Sequence, residues 1–201
     1  MEPKKGRREM KKFELTTESI TNEAGKKLFR IKALIDFGDV KAGEPGGYVE
    51  KEGNVSQDDN AWVSGDAEVF GNAKVYDNAW VSGDARVSGN AWVSGNAWVS
   101  GNARVSGDAR VYGDARVSGN ARVSGDADYA LVQGFGTEFR CTTFYRGKNK
   151  KIMVNCGCFH GDLEGFRKQV KETRNGKIAK EYLMIADLME YHFTSEDSSN
   201  E

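Results

Sequence analysis

The sequence predicts a mainly β protein: a central parallel β-solenoid, an N-terminal β cap before it and a small C-terminal α+β domain after it. Three observations predict the solenoid. Alanine recurs at every sixth residue over 61–127, and valine follows two residues after alanine over 63–123. Most units then continue with Ser-Gly-Asn or Ser-Gly-Asp, residue types that are typical of tight corners.

Each six-residue unit predicts one short strand and one corner. In the segment Ala-x-Val, alanine and valine lie on one face of the strand, and the residue between them lies on the other. The Gly-Asn and Gly-Asp pairs are expected to turn the corner because both members tolerate positive φ. Three units therefore close a triangular coil of eighteen residues that valine fills, and outward residues eighteen positions apart stack in columns.

The outward columns divide the solenoid into three faces of different chemistry. The tryptophan face carries Trp62, Trp80, Trp98 and Arg116. The arginine face carries Glu68, Arg86, Arg104 and Arg122. The mixed face carries Lys74, Trp92, Arg110 and Asp128, with Tyr76 and Tyr112 beside them.

The flanking segments predict the remaining domains. Before the repeat, 11–18 and 26–37 indicate two strands that cover the first coil. After it, 141–146 and 151–159 indicate a hairpin, and two helices follow, the first with Asp162 as its N-cap. The predicted divisions are a tail and β-hairpin cap at 1–45, the solenoid at 46–131, the α+β domain at 132–194 and a polar tail at 195–201.

The repeat over 46–131 resembles the hexapeptide-repeat proteins, in which an aliphatic residue is followed four positions later by a small one. This resemblance implies a left-handed parallel β-helix and, commonly, a homotrimer of solenoids packed side by side. The family's transferases use a histidine base in the repeat, and this repeat has no histidine, so we expect neither catalysis nor a cofactor. The leading stretch FGDVKAGEPGGYVEKEGNVSQDDNAWV also resembles phage and prophage proteins.

Composition excludes several classes of protein. The formal net charge of −1 argues against bulk polyelectrolyte binding, and no apolar run is long enough to cross a bilayer. The basic start MEPKKGRREMKK lacks the apolar core of a signal peptide, and three cysteines do not make a disulfide framework. We expect a soluble, reduced, cytoplasmic protein that makes no membrane contact.

One group of residues has the composition of a metal site. Its members are Cys141, Cys156, Cys158 and His160. On a single strand, the last three would point to one side, and a hairpin could add the first to complete a tetrahedral zinc site. The favoured interpretation is buried thiols in a small core; a low-probability zinc site and a Cys–His nucleophile are the alternatives.

The columns admit several roles. The tryptophan face is expected to be covered by another subunit or by the chain's own C-terminal domain, or else to bind a ligand or partner. The arginines could instead form weak surface pairs with corner acids such as Asp66 and Asp84.

The function predicted first is that of a non-enzymatic phage or prophage binding protein. It would inhibit a host defence protein or sequester a nucleotide signal through these faces or the end domain. The alternatives are a structural solenoid that self-assembles and a divergent transferase. We expect a homo-oligomer, with a trimer favoured, that has the tryptophan face at or beside the subunit contact.

Overall fold

In a computed structural model, the protein is described over residues 11–139, 141–148 and 150–194. This part of the chain forms short strands, two 3₁₀ turns (Glu52–Asn54 and Asp126–Asp128) and two α-helices. The strands are β1 Phe13–Thr21, β2 Lys27–Ala33, β3 Pro45–Val49, β4 Trp62–Val63, β5 Glu68–Val69, β6 Lys74–Val75, β7 Trp80–Val81, β8 Arg86–Val87, β9 Trp92–Val93, β10 Trp98–Val99, β11 Arg104–Val105, β12 Arg110–Val111, β13 Arg116–Val117, β14 Arg122–Val123, β15 Tyr129–Val132, β16 Thr142–Arg146, β17 Ile152–Cys156 and β18 Phe159–Asp162. The helices are α1 Leu163–Thr173 and α2 Gly176–Thr194.

Strands β4 to β14 form a β-solenoid of about four turns. Each strand pairs in parallel with the strand eighteen residues away, and the inner strands pair on both sides, so that Trp98 pairs with Trp80 and Arg116. The repeat alanines over 61–121 and the valines over 63–123 have essentially no exposed surface. The pairing interval and this burial confirm the predicted coil. Burial of each valine stabilises it by about 1.5–3 kcal/mol.

The corners differ in one respect from the prediction. In the Gly-Asn and Gly-Asp pairs over 65–120, only the first residue has positive φ, for example 67° at Gly95. In two of the three corner columns, the second residue uses its side chain to bond the coils together. One ladder runs Asn60, Asn78, Asn96, Asp114, and another runs Asn72, Asn90, Asp108, with donor–acceptor distances of 2.9–3.3 Å.

The N-terminal strands extend the arginine face. β1 pairs antiparallel with β2, β2 with β3, and β3 pairs in parallel with β5 of the solenoid. The structure has two antiparallel strands, β1 and β2, in the region where two strands were predicted. Phe13 and Phe37 pack edge-on against Trp62, with ring centroids 6.2 and 5.3 Å away.

Lys12 fixes this N-terminal strand to the first coil. Its side chain is buried, and its Nζ donates to the backbone carbonyls of Asp58, Asp59 and Ala61 at 2.9–3.2 Å. Burial lowers the pKa of Lys12 to about 8, although Asp58 and Asp59 act in the opposite direction. The irregular segment at 57–59 thus serves to receive the N-terminal strand.

The C-terminal strands form an antiparallel sheet in the order β15-β16-β17-β18. The predicted second strand, 151–159, is two strands with a turn at Gly157 and Cys158. One side of this sheet lies against the last coil, where the Tyr145 ring is fully buried in the solenoid core. On the other side, Phe144 and Val154 pack with α1 and α2.

Helix α1 begins as predicted. The Asp162 side chain accepts a hydrogen bond from the Gly165 backbone N–H at 2.9 Å, and Leu163 and Phe166 face the core. In the described part of the chain, neither helix is long and apolar enough to cross a membrane. The predicted tails at 1–10 and 195–201 lie outside the described residues.

Candidate ligand-binding site

The tryptophan face is stacked as predicted, but its members are not equally exposed. Trp62 is fully buried under the N-terminal strands, which were not predicted to cover the tryptophan face. Trp80 is half-buried, and its Nε1 donates to Ser64 Oγ at 3.0 Å. Trp98 is 50% exposed and lies 6.4 Å from Trp80, centroid to centroid. The accessible part of this face is therefore the half nearer the C-terminal end of the solenoid.

The C-terminal helices do not cover the tryptophan face. Both helices pack on the far side of the C-terminal sheet, around Phe144 and Phe166. The interpretation that they fold back over the indoles is wrong.

Two tryptophans each contact the arginine that follows eighteen residues later, on the next coil. The Arg116 guanidinium lies 5.6 Å from the ring centroid of Trp98, and that of Arg110 lies 5.3 Å from Trp92. Both separations are within cation–π range. One arginine lies over each of these two indoles, so both rings position a guanidinium group.

The rest of the mixed face is aromatic. Tyr76 contacts Trp92 edge-on at 6.1 Å, and Tyr112, which is 61% exposed, contacts Tyr129 at 6.2 Å. The wall formed by Lys74, Tyr76 and Trp92 is shallow and open to solvent.

The arginine face is tied to the N-terminal hairpin. Glu23, in the β1–β2 turn, forms an ion pair with Arg86 and lies 3.7 Å from Arg104. Arg86 also approaches Glu68 at 3.5 Å, so its main partners are not the corner aspartates. Partial burial, together with Arg104 and Arg86, lowers the pKa of Arg122. The arginine face therefore joins the solenoid to the N-terminal hairpin. Its arginines nearest the hairpin are engaged in ion pairs, so they leave little unpaired charge for a ligand.

A cleft of about 490 Å³ opens where the tryptophan face meets the C-terminal sheet, and we call it the junction cleft. From the solenoid it is lined by Asp114 and Arg116, and from the sheet side by Gln133, Phe139, Cys141, Thr143, Asn155 and Gly157. Its volume lies in the range of small-molecule sites. Arg116 is common to the cleft and to the Trp98 pair, so the two features form one continuous site.

The backbone of Arg116 is held firmly between the sheet and the coil. Its N–H donates to Thr143 Oγ1 at 3.0 Å, and its carbonyl accepts from Asn155 Nδ2 at 2.6 Å. Its guanidinium remains exposed and makes no ion pair with another described residue. The cleft is therefore lined by an arginine whose backbone is fixed and whose charge no described residue neutralises.

The other cleft residues supply different chemistry. Phe139 is 67% exposed and has a φ of 48°, a left-handed conformation that a bulky side chain rarely adopts. Burial raises the pKa of the Cys141 thiol, which keeps it protonated and weakly nucleophilic.

The four predicted zinc ligands do not converge. Asn155 pairs with His160, and Cys156 with Phe159, so Cys156 and His160 point to opposite sides of the sheet. Cys141 lines the junction cleft, and Cys158 is exposed in a turn. The favoured interpretation of buried thiols in a small core is also wrong, because Cys141 and Cys156 are only partly buried. His160 lies against the last coil, with its Nε2 3.2 Å from the Tyr145 hydroxyl. The premise of a single strand through 156–160 is wrong, and the described residues contain no cluster able to hold a metal.

Sequence reasoning found Arg116 but not the cleft beside it. The cleft exists because the C-terminal sheet docks on the last coil, and the six-residue pattern does not predict that contact. The side-chain ladder that positions Asp114 was detectable, because asparagines recur at the same corner every eighteen residues.

Comparison with known proteins supports the solenoid. The YdcK beta solenoid repeat family matches residues 79–95, 85–101, 97–113, 103–117 and 115–127. The matched segments overlap and follow the six-residue step, as expected of a repeat β-helix protein. No curated protein matches the chain.

Proposed function

We propose that the protein is a non-enzymatic binding protein that holds a nucleotide in the junction cleft. The observation that supports this most directly is Arg116: an exposed guanidinium without an ionic partner among the described residues, oriented by Trp98 and facing a cavity. Arginine binds phosphate through parallel charged hydrogen bonds. The exposed ring of Phe139 offers a surface for the base.

The proposed binding mode assigns separate roles to neighbouring residues. Arg116 binds the phosphate, Trp98 fixes the guanidinium from below, and the base enters the cleft. A protonated Cys141 thiol at the wall adds no nucleophile, which agrees with binding and not catalysis. Sequestration of a nucleotide signal is the form of the predicted function that this site fits.

The test uses the two tryptophan–arginine pairs as site and control. Tryptophan fluorescence is titrated with nucleoside monophosphates in the wild type, Arg116→Gln and Arg110→Gln. Arg110 has the same cation–π geometry on the mixed face but does not line the cleft. We expect Arg116→Gln to weaken binding roughly 10- to 150-fold, the equivalent of one charged hydrogen-bonded contact, while Arg110→Gln binds like the wild type. Equal loss in both variants would indicate non-specific attraction to arginine.

A second candidate is assembly of the solenoid with itself. Trp98 and Trp92 remain 50% and 39% exposed, which favours a side-by-side contact such as the predicted trimer. End-to-end growth is disfavoured because β1 to β3 extend the lower edge and Tyr145 fills the upper end. Light scattering of the wild type and Trp98→Ser tests this: a trimer that dissociates on substitution supports it, and a monomeric wild type opposes it.

The narrower predictions stay predictions. They are a left-handed winding of the coil, membership of the hexapeptide-repeat proteins, a phage origin with a counter-defence role against a host protein, and a cytoplasmic location. The resemblance of the repeat to the hexapeptide-repeat proteins supports the first two. The phage origin and counter-defence role rest on the resemblance of the leading stretch alone, and the cytoplasmic location rests on composition.

A further inference from the structure

The junction cleft carries two opposite charges that do not neutralise each other. Asp114 and Arg116 both line it, yet they form no ion pair with each other, although only one residue separates them. Asp114 lies at the corner, before Ala115, and Arg116 lies after it on β13. The two side chains therefore leave the backbone at different points. A ligand can therefore meet a cation at one point and a carboxylate at another.

Asp114 is held in place by the corner ladder. Its Oδ1 accepts a hydrogen bond from Asn96 Nδ2 at 3.0 Å, which leaves the second oxygen and further lone pairs available. An ionised carboxylate accepts hydrogen bonds but cannot donate them. Asp114 consequently favours a ligand edge that offers adjacent N–H donors and disfavours an edge that offers acceptors.

We propose that Asp114 determines which base the junction cleft accepts, and that this base is guanine. Guanine offers a ring N–H beside an exocyclic amino group, whereas adenine places an unprotonated ring nitrogen at the equivalent edge position. A guanine nucleotide thus matches both charges of the cleft, with its phosphate at Arg116 and its donor edge at Asp114. This inference rests on the proposed function and adds the identity of the base to it.

The chain provides a conservative variant and a matched control. Asp114→Asn keeps the ladder intact, because asparagine already accepts from asparagine lower in the same corner, at Asn78 and Asn96. Asp108→Asn makes the same change on the other ladder, where Asp108 accepts from Asn90 at 2.9 Å and does not line the cleft. Thermal unfolding of both variants verifies that each remains folded.

The experiment is calorimetric titration of GMP, IMP and AMP into the wild type, Asp114→Asn and Asp108→Asn. One well-formed pair of hydrogen bonds to a base edge is worth roughly 5- to 150-fold in discrimination, so the wild type should prefer GMP to AMP by at least about fivefold. IMP keeps the ring N–H but lacks the amino group and should bind between them. Asp114→Asn should lose the preference, and Asp108→Asn should retain it.

The outcomes separate this inference from the function on which it rests. Equal affinity of the wild type for all three nucleotides, with dependence on Arg116, overturns guanine recognition and leaves nucleotide binding standing. Loss of the preference in Asp108→Asn to the same extent also overturns it, because the effect would then be one of charge alone. Failure of every nucleotide to bind overturns the proposed function itself.

Discussion

Trp62 offers the sharpest test of how the repeat and the N-terminal strands combine, and Trp62→Ala is the perturbation. Burial of an aromatic side chain removes about 150–250 Å² from water, which at about 25 cal/mol per Å² gives an upper limit of roughly 4–6 kcal/mol. Its Nε1 is buried without a hydrogen-bond partner among the described residues. That unpaired N–H costs about 1–3 kcal/mol in the wild type. We therefore expect Trp62→Ala to lower the free energy of unfolding by about 3 kcal/mol.

Two further variants isolate the cause of that effect. Trp98→Ala removes the same side chain from the same column where it is 50% exposed, and should cost about 1–2 kcal/mol. Trp62→Phe keeps a ring between Phe13 and Phe37 while removing the unpaired N–H, and should cost less than half as much as Trp62→Ala. Urea unfolding followed by far-UV circular dichroism measures all three. Equal destabilisation by Trp62→Ala and Trp98→Ala would refute the assignment of Trp62 to the buried interface.

Three other predictions follow from contacts in the fold. Gly47→Ala should destabilise by about 1–3 kcal/mol, because a Cβ there would lie 2.6 Å from a backbone carbonyl, while Gly53→Ala, with open space, should be nearly neutral. Ala91→Leu should likewise lower the melting temperature by overpacking a filled corner, and Ala127→Leu at an exposed unit should not. The pKa of Lys12 is about 8 in the folded protein, against an ordinary value of 10.5. Between these two pH values the unfolded chain keeps a proton on Lys12 that the folded protein has lost, so the free energy of unfolding rises with pH across that window. Urea unfolding should show wild type gaining up to roughly 3 kcal/mol relative to Lys12→Met from pH 8 to 10.5; a difference independent of pH would contradict the shift.

Much of the fold was predictable because the repeat encodes it redundantly. The six-residue step sets the direction of each side chain, and the eighteen-residue step sets which residues stack. Neither period says what covers a column, so the burial of Trp62 beneath Phe13 and Phe37 could not be predicted from its position. Direction and exposure are separate properties, and only the first is local.

The site was less predictable because it depends on contacts between distant segments. Arg116 emerges from the column pattern, but the cleft requires Thr143 and Asn155 to dock on its backbone. The metal-like group failed for a local reason: Gly157 has a φ of 60° and turns the chain, which places Cys156 and His160 on different strands. Asparagine at the corners was assigned to backbone geometry, whereas its main contribution is the ladder between coils.

A crystal structure of the protein grown with GMP tests the central claim most directly, because it locates the ligand without relying on a variant. The account predicts difference density in the junction cleft, with the phosphate against the guanidinium of Arg116 and the base edge at Asp114. Density for the nucleotide on the mixed face, beside Trp92 and Arg110, with the junction cleft holding only solvent at saturating GMP, would contradict it.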